Sequence, residues 1–426
     1  MNSRFMLTAA AALFLAAGYD SATTAQLSNT FTHLIDHAAI GYKTTPPTDP
    51  VARLNQRLQD GSVRLSADGP SGYLRSVLAA LNVPVDSQIA VFAKDSLQRA
   101  IIGPANPRTL FFNDSVAVGW VRTGIIELAA QDPVQGTIFY TFDRSPFGEQ
   151  RFVRRHDCLT CHYSFSTAGV PGMLVRSAGA FAVNHTLPLE RRWGGWYVTG
   201  THGSLRHLGN VDLDRLFQSP RPQGTSNWSS FEGKFETSGY LSPYSDIVAL
   251  MVFDHQMHLL NLLARIGWEA RVAAYQERPA TAGTGTPPVA PDEKPISLTE
   301  AAVEVVDYML FVNEAPLVDR LKGSSGFAER FERQGPHDRI GRSLRQFDLR
   351  RRLMRFPCSY LIYSPVFDSL PGPAKRAIYR RLWEVLSGAD RAPQYRRLSL
   401  EDRRAIVEIL RDTKTDLPPE FQAPAL

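Results

Sequence analysis

Residues 109–142 read TLFFNDSVAVGWVRTGIIELAAQDPVQGTIFYTF, and this stretch decides the fold class. It divides into runs rich in β-branched and aromatic residues: Thr109–Phe112, Val116–Val121, Ile125–Ala129 and Thr137–Phe142. Asn113-Asp114, Arg122–Gly124 and Asp132–Gly136 separate them with turn chemistry, which predicts a small antiparallel meander. Outward from it, helical periodicity takes over. Asp246–Glu269 sets Val248, Met251, Val252, His255, Leu259 and Leu262 at helical intervals, with Ser245 as the expected cap. Shorter helices are expected at Val51–Gln59, Ser71–Leu81, Leu298–Val312, Phe327–Arg333, Ala374–Leu386 and Ser399–Arg411. Arg151–Gly239 is rich in Gly, Arg and aromatics and poor in periodicity, so long ordered loops are expected there. The fold class that follows is α+β: mainly helical, with a small antiparallel β meander and long ordered loops behind it.

Composition keeps the chain among ordinary globular proteins: of 426 residues, 43% are hydrophobic and 21% charged. A net charge of +5 is too mild to require nucleic acid, and there is no Walker loop or GxGxxG element. The charge is uneven. Asp319–Asp412 holds 21 basic and 12 acidic side chains, a face that is either simply solvated or able to dock an acidic partner. At the start, Arg4 precedes the apolar run Met6–Ala17 and the small, polar GYDSATTAQ. This is the layout of a secretory signal peptide over residues 1–25, too short to span a bilayer, so a periplasmic or otherwise exported protein is expected, with an uncleaved anchor as the alternative. No transmembrane segment is expected in the mature chain. The remainder divides into a helical segment at 26–105, a central region at 106–277, a Pro/Gly/Thr-rich linker or surface loop at 278–296, and a basic helical region at 297–426.

Cys158-Leu159-Thr160-Cys161-His162 is CxxCH, the attachment pattern of c-type haem. Two thiols three positions apart can reach the two porphyrin vinyl groups, and the adjacent His162 then supplies a proximal imidazole to iron. Three other uses of the pair stay open. A thioredoxin-like CxxC usually follows a strand of a βαβ unit, a context absent here. A structural zinc site needs four ligands, whereas the only other cysteine, Cys358, is nearly 200 residues away. A disulfide between Cys158 and Cys161 would close a tight loop. Cys358, among apolar neighbours in Phe356–Leu361, reads as a buried, inert thiol.

The chain resembles a group of large exported bacterial proteins described as cytochrome c domain-containing. The resemblance is carried by NPRTLFFN (Asn106–Asn113), HDCLTCH (His156–His162), GVPGMLVR (Gly169–Arg176) and RWGGWYVTGTHG (Arg192–Gly203). It continues through YLSPYSDIVALMVFDHQ (Tyr240–Gln256) and PCSYLIYSPVFDSL (Pro357–Leu370), and so covers most of the mature chain. It implies one covalently attached haem c at Cys158, Cys161 and His162, and electron transfer with a redox partner protein or a small-molecule donor or acceptor. It names no substrate, and the chain departs from a minimal cytochrome c after the haem motif.

The sixth ligand of such an iron has several candidates. Met173 follows His162 by eleven residues, a span of roughly 36 Å when extended, enough to pass around a haem edge. A core-filling Met is the ordinary alternative. His202 and His207 lie in a Gly-rich loop, His185 is a weaker choice, and an open position is the remaining one. His255 with His258, and His33 with His37, are spaced for one helix face and read more simply as packing residues. Arg154, Arg155, Arg176, Arg191 and Arg192 supply guanidinium forks for one or two haem propionates. Trp193, Trp196 and Tyr197 suit either a haem wall or an aromatic core. The function expected is single-electron transfer by an exported monohaem cytochrome; a haem-dependent oxidoreductase with an open or displaceable ligand is the alternative.

Overall fold

The protein is described here by a computed structural model covering residues 35–144, 150–178, 182–218, 227–277 and 297–422. The signal segment 1–25, His33 and the linker 278–296 lie outside the described residues. Helices α1 (Pro50–Gln59) and α2 (Leu74–Ala80) come first, then strands β1 (Ile89–Val91), β2 (Arg108–Phe112), β3 (Val116–Trp120), β4 (Ile126–Asp132), β5 (Gly136–Arg144) and β6 (Gln150–Arg154). A single turn, α3 (Leu159–His162), is followed by the ribbon β7 (Val175–Arg176) and β8 (Ala182–Val183), by β9 (Trp196–Tyr197) and by α4 (Leu213–Gln218). The long α5 (Ile247–Gln276) leads to α6 (Leu298–Met309), α7 (Phe327–Arg333), α8 (Pro365–Asp368), α9 (Gly372–Leu386) and α10 (Leu400–Thr413).

Seven of the nine strands among the described residues form one antiparallel sheet in the order β6-β5-β4-β3-β2-β1-β9, with β7 and β8 paired apart from it. Seven strands make this a sheet-rich α+β fold, 38% helix and 14% strand, which corrects the expectation of a mainly helical chain with a small meander. The reason lies at the edges. β1 and β9 have three and two residues, too few to show alternation, and β9 joins from beyond the CxxCH turn. In β6 only Phe152 is fully buried, and its arginines mark an edge strand protected against further pairing.

Both faces of the sheet are covered, so β3 and β4 are buried along their whole length. Phe111, Val118, Leu128 and Tyr140 pack with Val51, Leu54, Leu74 and Val77 of α1 and α2. Phe112, Ala117, Ala129 and Phe139 face the other way, onto a core built around α5 that extends to Phe421. Helix α5 is long and apolar enough to cross a membrane, and 89% of its most apolar stretch is buried inside the protein. Its cap is Asp246, not Ser245: the Asp246 carboxylate accepts from Val248 N and Ala249 N at 2.8 and 3.1 Å. Ser245 instead joins α5 to the sheet, accepting from Ala90 N and donating to the Tyr197 carbonyl.

Candidate functional site

After β6 the chain folds into one helical turn. Leu159 N donates to His156 O at 3.1 Å and His162 N to Cys158 O at 3.0 Å. This turn sets Cys158 and Cys161 one turn apart on neighbouring positions, Cys158 half-buried and Cys161 exposed. All three cysteines are unpaired. Burial pushes the Cys158 thiol up to about 11; Asp157 and Glu127 add to this and Arg155 and Arg108 oppose it. Such a thiol is not activated as a nucleophile. The preceding strand is also the antiparallel edge of a sheet, not part of a βαβ unit.

His162 is held from one side. Gly172 N donates to the His162 carbonyl at 2.9 Å, and His162 Nδ1 lies 3.0 Å from the Gly172 carbonyl. A carbonyl only accepts, so Nδ1 carries the proton and Nε2 keeps its lone pair. Burial lowers the His162 pKa to about 4; the Gly172 bond opposes this, while Arg108 and Arg176 assist it. The ring is therefore neutral near pH 7, with Phe139 at 4.7 Å between centroids. This is the outer-shell arrangement that orients metal-binding histidines.

Helix α5 fixes the supporting loop. Asn261 Nδ2 donates to the Met173 carbonyl at 2.8 Å, and a Cβ on Gly172 would stand 2.2 Å from Asn261 Oδ1. Beneath the turn, Arg108 on β2 reaches Glu127 on β4 at 2.8 Å, crossing Gly119 of β3, where a Cβ would be 2.7 Å from the guanidinium. Sequence reasoning passed over this pair. Its signal was a charge on each of two apolar strands and a glycine on the strand between them.

The other sequence candidates are dispersed. Met173 is buried, one peptide beyond the carbonyl that supports His162, so it belongs to the loop behind the ring. His202 and His207 are buried together elsewhere, with ring centroids 4.7 Å apart, His207 packing on Trp193. His185 and His255 meet through their Nδ1 atoms at 2.8 Å, and His255 Nε2 lies 2.8 Å from Ser359 Oγ. Tyr308 stacks on His185 at 4.0 Å and packs against His258. His37 accepts from Ala39 N and packs on Tyr275.

Among the arginines, Arg176 stands near enough to act on His162, while Arg154 lies over the Tyr42 ring and Arg155 pairs with Asp157. Arg191 is exposed, and Arg192 is buried against Asp254. Trp193 is buried too, donating to Asp254 at 3.0 Å; Trp196 donates to the Arg176 carbonyl and Tyr197 to that of Pro104. Cys358 is fully buried, its thiol pushed up to about 12. No cluster of three or more His, Cys, Asp or Glu side chains suited to a metal occurs among the described residues. No family model, curated protein or solved structure matches this chain, so its assignment rests on the geometry around Cys158, Cys161 and His162.

Proposed function

We propose that the protein is an exported c-type cytochrome that carries one covalent haem c on Cys158 and Cys161 and passes single electrons to and from a redox partner protein or a small molecule. The observation that carries this reading is the His162–Gly172 hydrogen bond beside two unpaired thiols one turn apart. The bond leaves Nε2 as a neutral donor for iron, and Arg176 is near enough to offer positive charge to a propionate. When bound, the group supplies an iron that changes oxidation state. The chain's part is to hold His162 in one tautomer and to pack Phe139 against its ring. Protein matured with haem-attachment machinery should keep its haem through acid-acetone extraction, and Cys158→Ala/Cys161→Ala should lose it. Complete release from the wild type would reject the assignment.

The position of Met173 behind His162 favours a second reading as well, an oxidoreductase whose iron has a displaceable sixth ligand. Carbon monoxide separates the two: rapid binding to reduced wild type supports the enzyme, and inertness supports the carrier.

A further inference from the structure

Three connections meet away from the CxxCH turn and enclose a cavity of about 360 Å³, near the low end for small-molecule sites. Thr186 and Pro188 come from the loop between β8 and β9, and Asn313, Glu314 and Pro316 from that between α6 and α7. Arg397 comes from the approach to α10. The wall is held by its own backbone: Ala315 N donates to the His185 carbonyl at 3.0 Å, and Glu314 N to that of Phe311 at 3.1 Å. Phe311 and Asn313 hold left-handed backbone, φ 55° and 61°, which side chains rarely adopt and which collects at ligand sites. Pro188 and Pro316 add stiff apolar surface.

Two lining residues carry opposite charges and are not mated. Glu314 is buried, and its Oε1 accepts from Leu353 N at 2.8 Å. Its Oε2 has no hydrogen-bond partner among the described residues and is not sealed from solvent. Arg397 is exposed; its Nη1 donates to the Glu314 carbonyl at 2.6 Å, which leaves Nε and Nη2 without a partner among the described residues. The two side chains line one cavity without approaching to ion-pair distance. Other arginines around Glu314 are already taken: Arg192 pairs with Asp254 and Arg352 with Asp402.

The lining selects the ligand. A simple cation would answer Glu314 and meet the charge of Arg397. A simple anion would answer Arg397 and meet the carboxylate. A molecule with an ammonium and a carboxylate on one carbon answers both at once: the ammonium donates to Glu314 Oε2, and the carboxylate accepts from the guanidinium fork. A cavity of about 360 Å³ has room for one such molecule. We infer that this cavity binds a free amino acid, with its ammonium group on Glu314 and its carboxylate on Arg397. No lining residue belongs to the CxxCH turn, so the site stands whether or not that turn carries haem.

The test uses the full chain. Thermal melting with each common amino acid in turn finds the one that stabilises most, and calorimetry with it should show one site per chain. Its N-acetyl derivative lacks the ammonium and its carboxamide lacks the carboxylate; each should bind at least about tenfold more weakly, a reading that needs no variant. Glu314→Gln and Arg397→Gln should each weaken the parent by a similar factor, with circular dichroism unchanged. Glu314→Gln should cost the N-acetyl derivative little, and Arg397→Gln the carboxamide little, because each derivative already lacks the group which that residue holds. Binding at pH 7 should release protons, since an ammonium favours the ionised form of a carboxyl that burial raises to about 7. No binding by any amino acid, equal binding by either derivative, or proton uptake would each overturn the assignment; uptake would mean an anion on protonated Glu314.

Discussion

His162 Nδ1 donates to the carbonyl of Gly172 at 3.0 Å, which helps join the CxxCH turn to the loop that α5 holds. The next carbonyl, that of Met173, accepts from Asn261 of α5, so ring, loop and helix form a short chain of contacts. Helix α5 is buried along nearly its whole length, which gives the ring a rigid backing.

Gly172 is the tight point of that chain. Gly172→Ala would drive its methyl group into the Asn261 amide, and overpacking of this kind costs about 1–3 kcal/mol. Urea unfolding should show the loss. Asn261→Ala removes the obstacle, so the glycine substitution should cost clearly less in that background; equal costs in both would disprove the contact.

Asp246 carries more than the start of α5. Its carboxylate also accepts from Ser324 N, Ser325 N and Ser325 Oγ, which fixes the segment before α7. Asp246→Ala should lower stability by at least about 2 kcal/mol, because it removes a cap and leaves buried N–H groups unpaired. Asp246→Asn keeps one accepting oxygen and should recover part of the loss. An alanine variant within 0.5 kcal/mol of wild type, as an order-of-magnitude bound, would contradict this role.

Glu314 sets a pH dependence. Burial raises its carboxyl to about 7, against the Leu353 N–H bond and the pull of Arg192, Arg352 and Arg397; Tyr308 lies on the adjoining helix. The folded state therefore binds the proton more tightly than the unfolded chain. The contribution is fully present below about pH 4.5, is lost as pH rises toward about 7, and stays lost above it. Glu314→Gln should flatten this part of the stability profile, measured by thermal melting from pH 4 to 8. An unchanged difference between the two proteins across that range would show that Glu314 does not titrate within it.

The internal strands and most helices were legible because apolar spacing reports which face is buried. Phe327–Arg333 emerged with the expected bounds, and α5 began within a residue of its expected start. The sheet edges were not legible. β1 and β9 form because Phe92 N and Ala93 N reach the Gly195 carbonyl across more than 100 residues, a pairing no local pattern carries. At the site, CxxCH was plain from spacing alone. The meeting of Arg108 with Glu127, and of His185 with His255, depends on tertiary register and leaves only isolated polar residues in apolar runs as a trace.

Met173 is where spacing and geometry diverge, and it gives the most direct test of the site. Eleven residues suffice to circle a haem edge, yet the chain spends them returning to His162: Tyr163 pairs with Pro171, and Gly172 then bonds the ring. If His162 held an iron through Nε2, a further ligand would have to come from that side of the ring. Met173 begins on the Nδ1 side, one peptide from the carbonyl that grips it, with its side chain in the core. Met173→Leu conserves volume and should cost less than about 1.5 kcal/mol. In haem-loaded protein it should leave the rate and extent of carbon monoxide binding to reduced iron unchanged. If the substitution instead opens a previously inert iron to carbon monoxide, the loop rearranges on haem attachment and Met173 is the ligand after all.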